Sequence, residues 1–190
     1  MKIAVIGAGQ MGNGIAQVAA SAGYEVLMID IKEEYVDRGM ATIQKSLSKL
    51  VSKERISQSD ADDTLARIST TTDRGECADV DLVVEAVPEI LDLKTSIFSE
   101  LDEICKPECI LASNTSSISI STIANATNRP EKVIGMHFMN PVPIMKLVEI
   151  INGDQTSEAT NSSVVEAAEK MGKIALSCND SPGFVSNRIL

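Results

Sequence analysis

Hydrophobic and polar positions follow two different periods along this chain. Short apolar runs such as KIAVI and VDLVVEAV are typical of strands that are buried on both faces of a sheet. Between them lie longer segments in which apolar residues recur every three or four positions, as in an amphipathic helix. The predicted strands are KIAVI, YEVLMID, RISTTT, VDLVVEAV, CILASN, KVIGMHF, KLVEII and KIALSC. Their alternation with helices predicts an α/β fold with a doubly wound, mostly parallel sheet.

One connection between strands is longer than an ordinary crossover. From about residue 32 to residue 68 the chain is polar and helical in period, and Ser57-Gln-Ser-Asp60 is typical of a helix N-cap. We therefore expect a helical hairpin inserted between two strands. Its predicted apolar stripe consists of Val36, Met40, Ile43, Leu47 and Leu50.

The composition narrows the class of protein. The 190 residues are 44% hydrophobic but only 3% aromatic, so the core is aliphatic. The formal net charge of −10 argues against nucleic acid or an anionic membrane as a partner, because either needs clustered positive charge. No apolar run reaches the ~20 residues of a membrane span, and we expect a cytoplasmic protein. The four cysteines form no CxxC motif, which predicts free thiols and no metal site.

The turn after the first strand carries a candidate ligand site. Gly7-Ala-Gly9-Gln-Met-Gly12 follows a strand and opens a helix, and Asp30 ends the next strand. The first glycine permits a tight turn, the second lets the backbone approach a pyrophosphate, and the third allows close helix–strand packing. This pattern predicts a Rossmann-type dinucleotide site. Asp30 would accept ribose hydroxyls and repel a 2′-phosphate, which favours NAD over NADP, although Lys32 lies close in sequence.

The only histidine, His137, lies near the end of the predicted strand KVIGMHF. In a doubly wound sheet, ligands bind beyond the carboxyl ends of the strands. The next strand places Glu149 in the apolar run LVEII, where an unpaired charge is costly. We expect Glu149 to accept from one ring nitrogen of His137, which leaves the other nitrogen as a general base. The alternative is a hydrogen-bonded core histidine with no catalytic role.

Five segments together resemble a known family. GAGQMGNGIA, VVEAVPE, SNTSSISI, GMHFMNPVPIMKLVEI and NDSPGFVSNR are similar, in order and spacing, to the 3-hydroxyacyl-CoA dehydrogenase family, most closely its 3-hydroxybutyryl-CoA members. The resemblance covers essentially the whole chain. It implies an NAD-dependent oxidoreductase of fatty acid β-oxidation and butanoate metabolism. Its substrate would be a short-chain (S)-3-hydroxyacyl-CoA.

The resemblance also implies roles for individual residues. The catalytic residues would be His137 and Glu149 as a pair, Ser116 at the substrate's 3-oxygen and Asn187 near the substrate carbonyl. The implied NAD contacts are Gly7, Gly9, Gln10, Met11, Gly12, Asp30, Glu89, Lys94 and Asn114. The implied acyl-CoA contacts are Ser116, Ser46, Lys53 and Asn187. Without the resemblance, the sequence does not distinguish Ser116 from Ser117, and Glu89 and Lys94 would be solvated residues at a helix start.

A local positive stripe accompanies the helical insertion. Lys45, Lys49 and Lys53 recur every four residues, on one face of a helix, with Arg55 nearby. In a chain of net negative charge, such a stripe is a candidate clamp for the phosphates of coenzyme A. The alternative is a solvated basic face.

The family normally adds an all-helical C-terminal domain, which supplies most of a homodimer interface. We expect this chain to lack that domain, because SPGFVSNRIL begins a helical pattern that stops at Leu190. The expected organisation is one NAD-binding domain over residues 1–190 with the insertion at about 32–68. Two other functions remain open. One is a dehydrogenase of a 3-hydroxy acid without CoA. The other is an NAD-binding domain that is inactive without its missing half.

Overall fold

Eight strands form one sheet in the part of the chain that the structure, a computed structural model, describes, which is residues 1–185. The strands are β1 Lys2–Ile6, β2 Glu25–Ile29, β3 Ile68–Thr71, β4 Leu82–Glu85, β5 Ile110–Ser113, β6 Val133–Phe138, β7 Leu147–Asn152 and β8 Ile174–Asn179. Their order across the sheet is β3-β2-β1-β4-β5-β6-β7-β8. Strands β1 to β6 are parallel, whereas β7 is antiparallel to β6 and β8 runs with β7. The predicted doubly wound, mostly parallel Rossmann-type sheet is confirmed.

Helices cover both faces of this sheet. Within residues 1–185 the α-helices are α1 Gln10–Ser21, α2 Glu33–Ser52, α3 Gln58–Ala66, α4 Leu91–Ile104, α5 Ile120–Ala124 and α6 Glu158–Lys170. Two 3₁₀ helices, Arg74–Asp79 and Pro130–Lys132, were not predicted, because such short turns carry no periodic apolar pattern. None of the helices in this range has both the length and the apolar character needed to cross a membrane.

The core is divided in two by the sheet. Ile3 and Val5 of β1 contribute to the cluster beneath α1, α2, α3 and α6, whereas Ala4 and Ile6 contribute to the cluster beneath α4 and α5. Because successive side chains of a strand point to opposite faces, burial of both faces requires the continuous apolar runs seen in the sequence.

The cysteines are free thiols, as predicted, with three of them buried and Cys178 half-buried. Cys77, Cys105 and Cys109 all contribute to the cluster beneath α4 and α5. Among residues 1–185, no three histidine, cysteine, aspartate or glutamate side chains are grouped to hold a metal ion.

The helical hairpin inserted between β2 and β3 consists of α2 and α3. Its predicted apolar stripe faces the core, fully or in part: Val36, Met40, Ile43, Leu47 and Leu50. The second helix begins with a reciprocal cap. The Asp60 amide donates to Ser57 Oγ at 3.0 Å, and the Ser57 amide donates to Asp60 Oδ2 at 2.9 Å.

Candidate active site

The glycine turn joins β1 to α1, and its three glycines meet different constraints. Gly7 has φ +102°, and a Cβ there would lie 2.7 Å from the carbonyl oxygen of Ala86, directly after the neighbouring strand β4. A Cβ on Gly12 would lie 1.7 Å from the carbonyl oxygen of Gly7. A Cβ on Gly9 would meet no protein atom within 4 Å. The first and third glycines are therefore required by the fold, and the second leaves open space in front of α1.

The open space in front of α1 fits a phosphate group. Helix α1 begins at Gln10 and has no acidic residue in its first turn. Unpaired amides at a helix N-terminus, together with the helix dipole, attract anions. The Gln10 side chain is bound to the loop after β6, since its Nε2 donates to Asn140 Oδ1 at 3.2 Å. Met11 is partly buried against the core, so its side chain serves packing.

Asp30 lies at the end of β2, beside the glycine turn. Its Oδ2 accepts from the Ala8 amide at 2.7 Å, and its Oδ1 accepts from the Ile31 amide at 2.7 Å. These two bonds fix the carboxylate at the wall of a cavity of about 390 Å³ that Gly9, Tyr35 and Arg38 also line. Each carboxylate oxygen can accept further hydrogen bonds, so the position suits ribose hydroxyls.

His137 and Glu149 face each other directly. They are opposite residues in the antiparallel pair of β6 and β7, so their side chains lie on the same face. The Nδ1 atom of His137 lies 2.8 Å from Glu149 Oε2. Glu149 is 0% exposed, and its other oxygen accepts from the Val185 amide at 3.0 Å. The two side chains thus form the expected contact. His137 retains 8% exposure, so its imidazole reaches the surface.

The tautomer of His137 follows from its partner. When Glu149 is ionised it only accepts hydrogen bonds, and Nδ1 then carries the proton that points at Glu149. Nε2 is then the nitrogen that can accept a proton from a bound molecule. Asn114 is hydrogen-bonded to the end of β6, because its Oδ1 accepts from the Phe138 amide at 2.9 Å.

Glu89 accepts several hydrogen bonds from the loop that follows β5, residues 114–119, which we call the serine loop. Its Oε1 accepts from the Thr115 hydroxyl at 2.5 Å and from the amides of Ser116 and Ser117 at 2.9 and 3.1 Å. The same oxygen lies 3.3 Å from Ser116 Oγ and 3.0 Å from Ser117 Oγ. One carboxylate thus sets the position of both candidate serines, and the geometry does not separate them.

Lys94 is buried, whereas the sequence alone would place it in solvent at a helix start. It is 1% exposed, and its Nζ donates to Glu85 Oε1 at 2.6 Å and to the Val87 carbonyl at 3.2 Å. Glu89 Oε2 lies 3.3 Å from the same ammonium. Because the ammonium lies between two carboxylates of the chain itself, Lys94 holds the serine loop through Glu89. Its implied contact with NAD stays a prediction.

Glu85 completes this network, and the sequence analysis missed it. It ends β4, is 0% exposed, and its Oε2 accepts from Ser113 Oγ at 2.6 Å. The signal in the sequence was a carboxylate at the end of the apolar run VDLVVE, the same signal that pointed to Glu149.

Glu89 provides a test of this network through its titration. Partial burial by itself raises the pKa of the carboxyl, but the hydrogen bond from Thr115 and the charge of Lys94 outweigh it and lower the pKa from 4.5 to about 2. A carboxyl whose pKa falls on folding stabilises the folded state above its unfolded pKa, and that contribution is lost as pH falls toward the folded pKa.

We therefore expect Glu89→Gln to lower the free energy of unfolding at neutral pH, with a difference from wild type that shrinks between pH 4.5 and about 2. Urea unfolding at a series of pH values measures this difference. Glu103→Gln, at an exposed position of helix α4, which follows Glu89, is the matched control and should show no such trend. A difference between wild type and Glu89→Gln that does not change with pH would contradict the network.

A second groove runs beside α2 and carries the lysine stripe. It has a volume of about 470 Å³, and Lys45, Ser46, Lys49 and Lys53 line one side. Residues 140–144, in the loop between β6 and β7, line the other side. Arg55 is exposed but does not line the groove. Asn187, also predicted at the substrate, lies outside the described residues.

Comparison with known proteins decides the family. Residues 2–181 match the family described as 3-hydroxyacyl-CoA dehydrogenase, NAD binding domain. The chain belongs to this family. The family resemblance and NAD as the cofactor are confirmed, and the residues of the glycine turn fit that cofactor.

Individual relatives of this family member are similar over its whole length. The chain is 59% identical to a probable 3-hydroxybutyryl-CoA dehydrogenase of Deinococcus radiodurans, covering 100% of the chain and 68% of that protein. It is 51% identical to a protein of the same description in Bacillus subtilis, covering 100% of the chain and 66% of that protein. The chain thus spans about two thirds of the length of these relatives.

Solved structures show the same architecture. The (S)-3-hydroxybutyryl-CoA dehydrogenase of Ralstonia eutropha superposes with a TM-score of 0.97 at 45% identity, covering 99% of this chain and 66% of that one. The 3-hydroxybutyryl-CoA dehydrogenase of Escherichia coli superposes with a TM-score of 0.98 at 41% identity, covering 100% of this chain and 40% of that one. The dehydrogenase class and the NAD-binding fold of the family member are therefore established.

Proposed function

We propose that the protein containing this chain transfers a hydride between NAD and carbon 3 of a short-chain (S)-3-hydroxyacyl-CoA. The observation that carries the proposal is the His137–Glu149 pair at 2.8 Å, at the end of the sheet where the glycine turn also opens. The names of the relatives from Deinococcus radiodurans and Bacillus subtilis support the 3-hydroxybutyryl-CoA substrate. The homodimer implied by the resemblance also stays a prediction.

In the oxidation direction, the substrate loses a hydride from carbon 3 and a proton from its 3-hydroxyl. NAD, when bound, accepts the hydride. His137 Nε2 takes the proton, and the buried carboxylate of Glu149 stabilises the imidazolium that results. In the reverse direction, the imidazolium returns the proton to the oxygen of the ketone.

Neutral donors suit the 3-oxygen, because it gains negative charge during reduction of the ketone. We assign Ser116 this role, with Glu89 holding its loop in place. Asn187 is proposed as a second donor near the substrate carbonyl. Both assignments rest on the family resemblance and on the chemistry of a hydroxyl and an amide.

The groove beside α2 suits a coenzyme A moiety. Three lysines on one wall supply positive charge in a chain of net charge −10, and phosphates are the groups that such a wall attracts. The other wall is the loop 140–144, which leads from β6, the strand of His137, to β7. We propose that an acyl group bound through its CoA in this groove reaches the catalytic pair.

The direct test is oxidation of NADH by the whole protein with acetoacetyl-CoA, compared with acetoacetate at the same concentration. We expect turnover of the CoA thioester and little or none of the free acid. Equal turnover of both would favour the dehydrogenase of a 3-hydroxy acid without CoA. Absence of turnover in the whole protein, with NADH bound, would reject the proposed reaction.

The lysine stripe makes a separate prediction. Lys45→Glu/Lys49→Glu should raise the KM for acetoacetyl-CoA by about 10-fold or more, since each reversal replaces an attraction to phosphate by a repulsion of similar size. The affinity for NADH should not change. Lys132→Glu/Lys170→Glu produces the same change in net charge away from the groove and is the matched control. An equal rise in KM for both double variants would show that only net charge matters.

A further inference from the structure

The loop between β6 and β7 is rich in carbonyl groups and poor in donors. It contains Pro141 and Pro143, and proline has no backbone N–H. The amides of Ile144 and Met145 both donate to the Pro141 carbonyl at 3.0 Å, so they turn inward within the loop. Other carbonyls of the loop therefore need donors from elsewhere in the chain.

Lys173 supplies these donors. It lies between the end of α6 and β8 and is 8% exposed. Its Nζ donates to the Val142 carbonyl at 2.5 Å and to the Met145 carbonyl at 2.8 Å. Burial lowers the pKa of this ammonium, and among residues 1–185 no carboxylate forms an ion pair with it. A buried charge without a counter-ion is costly unless hydrogen bonds compensate, and the two loop carbonyls supply those bonds.

The opposite side of the loop rests on α1. A Cβ on Gly14 would lie 2.8 Å from Val142 Cβ, so the helix backbone touches the loop directly. The loop is thus held between α1 and the ammonium of Lys173. Ile144, in contrast, is 74% exposed at the wall of the groove that carries the lysine stripe.

We infer that Lys173 is a positioning residue for substrate binding, which fixes the loop 140–145 as the wall of the acyl-CoA groove. The identity of the ligand rests on the proposed function. The contact between Lys173 and the loop does not depend on it. The strand register that pairs His137 with Glu149 consists of five residue pairs between β6 and β7, none of which involves Lys173. Its loss should therefore affect binding of the acyl-CoA more than the chemical step.

The test compares Lys173→Met with wild type in the whole protein. Methionine keeps the length and apolar contacts of the side chain but donates no hydrogen bond. We expect the KM for acetoacetyl-CoA to rise by about 10-fold, with kcat changed by no more than about 3-fold and NADH affinity unchanged. Lys173→Arg, which keeps the charge and the donors, should recover part of the loss.

Hydrogen exchange supplies a readout that does not depend on activity. In Lys173→Met, the amides of Ile144 and Met145 should exchange at least about 10-fold faster than in wild type, whereas amides of β6 and β7 should not change. Lys170→Met removes the same charge from an exposed position on α6 and is the control for both measurements.

The outcomes separate the two proposals. If wild type does not turn over acetoacetyl-CoA but the loop of Lys173→Met exchanges faster, the proposed function fails and the positioning role stands. Unchanged KM and unchanged exchange would overturn the role of Lys173. The role would also be overturned if Lys173→Met lost NADH binding together with substrate binding. The same holds if it failed to fold and Lys173→Arg gave no recovery, because Lys173 would then serve general stability.

Discussion

Replacing His137 by glutamine should reduce turnover of acetoacetyl-CoA by about 100-fold or more, because the reaction loses its general acid and base. Glutamine can still hydrogen-bond to Glu149 through its amide, so the buried carboxylate is not left without a donor. The affinity for NADH should change little, since the glycine turn and Asp30 belong to other strands. Steady-state kinetics with acetoacetyl-CoA, together with NADH titration by fluorescence, measures both quantities.

Glu149→Gln is the companion variant. It keeps the shape of the side chain but removes the charge that stabilises the imidazolium, so kcat should fall while KM for acetoacetyl-CoA changes less. Equal kcat for wild type and His137→Gln, in proteins that bind NADH equally, would remove His137 from the mechanism and leave it as a hydrogen-bonded core residue.

Alanine substitution at two glycines of the first turn should have effects of different kinds. Gly9→Ala should fold normally, because its φ of −65° is available to alanine and its Cβ meets no protein atom within 4 Å. The added methyl occupies the space where a pyrophosphate approaches the backbone. We therefore expect the Kd for NADH to rise by about 100-fold, with an unchanged melting temperature.

Gly12→Ala should instead damage the fold. Its Cβ would lie 1.7 Å from the carbonyl oxygen of Gly7, so the turn or the helix must move. A forced shift of backbone costs about 1–3 kcal/mol or more, which lowers the melting temperature by several degrees in a domain of this size. Calorimetry and NADH titration on both variants distinguish the two effects. Equal melting temperatures for both variants would contradict the constraint on Gly12, and unchanged NADH affinity in Gly9→Ala would contradict the pyrophosphate site.

The expected effects differ because the two glycines are needed for different reasons. The motif G-x-G-x-x-G predicted that the second glycine serves the ligand and that the first and third serve the fold. The atoms around each position make the same distinction in this chain. A Cβ on Gly12 would collide with the carbonyl of Gly7, whereas a Cβ on Gly9 would meet no protein atom within 4 Å.

The elements of the fold were largely readable from the sequence. The continuous apolar runs of β1, β4 and β6 indicated strands buried on both faces, and the three- and four-residue spacing in α2 indicated one buried face. The capping box at Ser57 marked the start of α3. These signals are local, because periodicity and caps depend on residues a few positions apart.

Parts of the candidate site were also readable, where a residue type conflicted with its surroundings. Glu149 in an apolar run required a partner, and His137 was the only histidine available. The same reasoning applied to Glu85 would have led to a buried cation, but several lysines were available and the sequence does not select Lys94 among them. A long, flexible side chain can reach several partners, so its partner depends on the packing around it.

The sequence by itself determined the order of strands and helices, the glycine turn with its carboxylate, and the presence of a histidine and a glutamate on successive strands. Only the tertiary structure decided that Glu89 gathers the serine loop, that Lys94 is buried between two carboxylates, and that Lys173 holds the loop beside the groove. The physical reason is that burial and hydrogen bonding at these positions arise from strands and turns far apart in the chain. Their sequence separation carries no periodic signal, so the contacts exist only once the sheet has assembled.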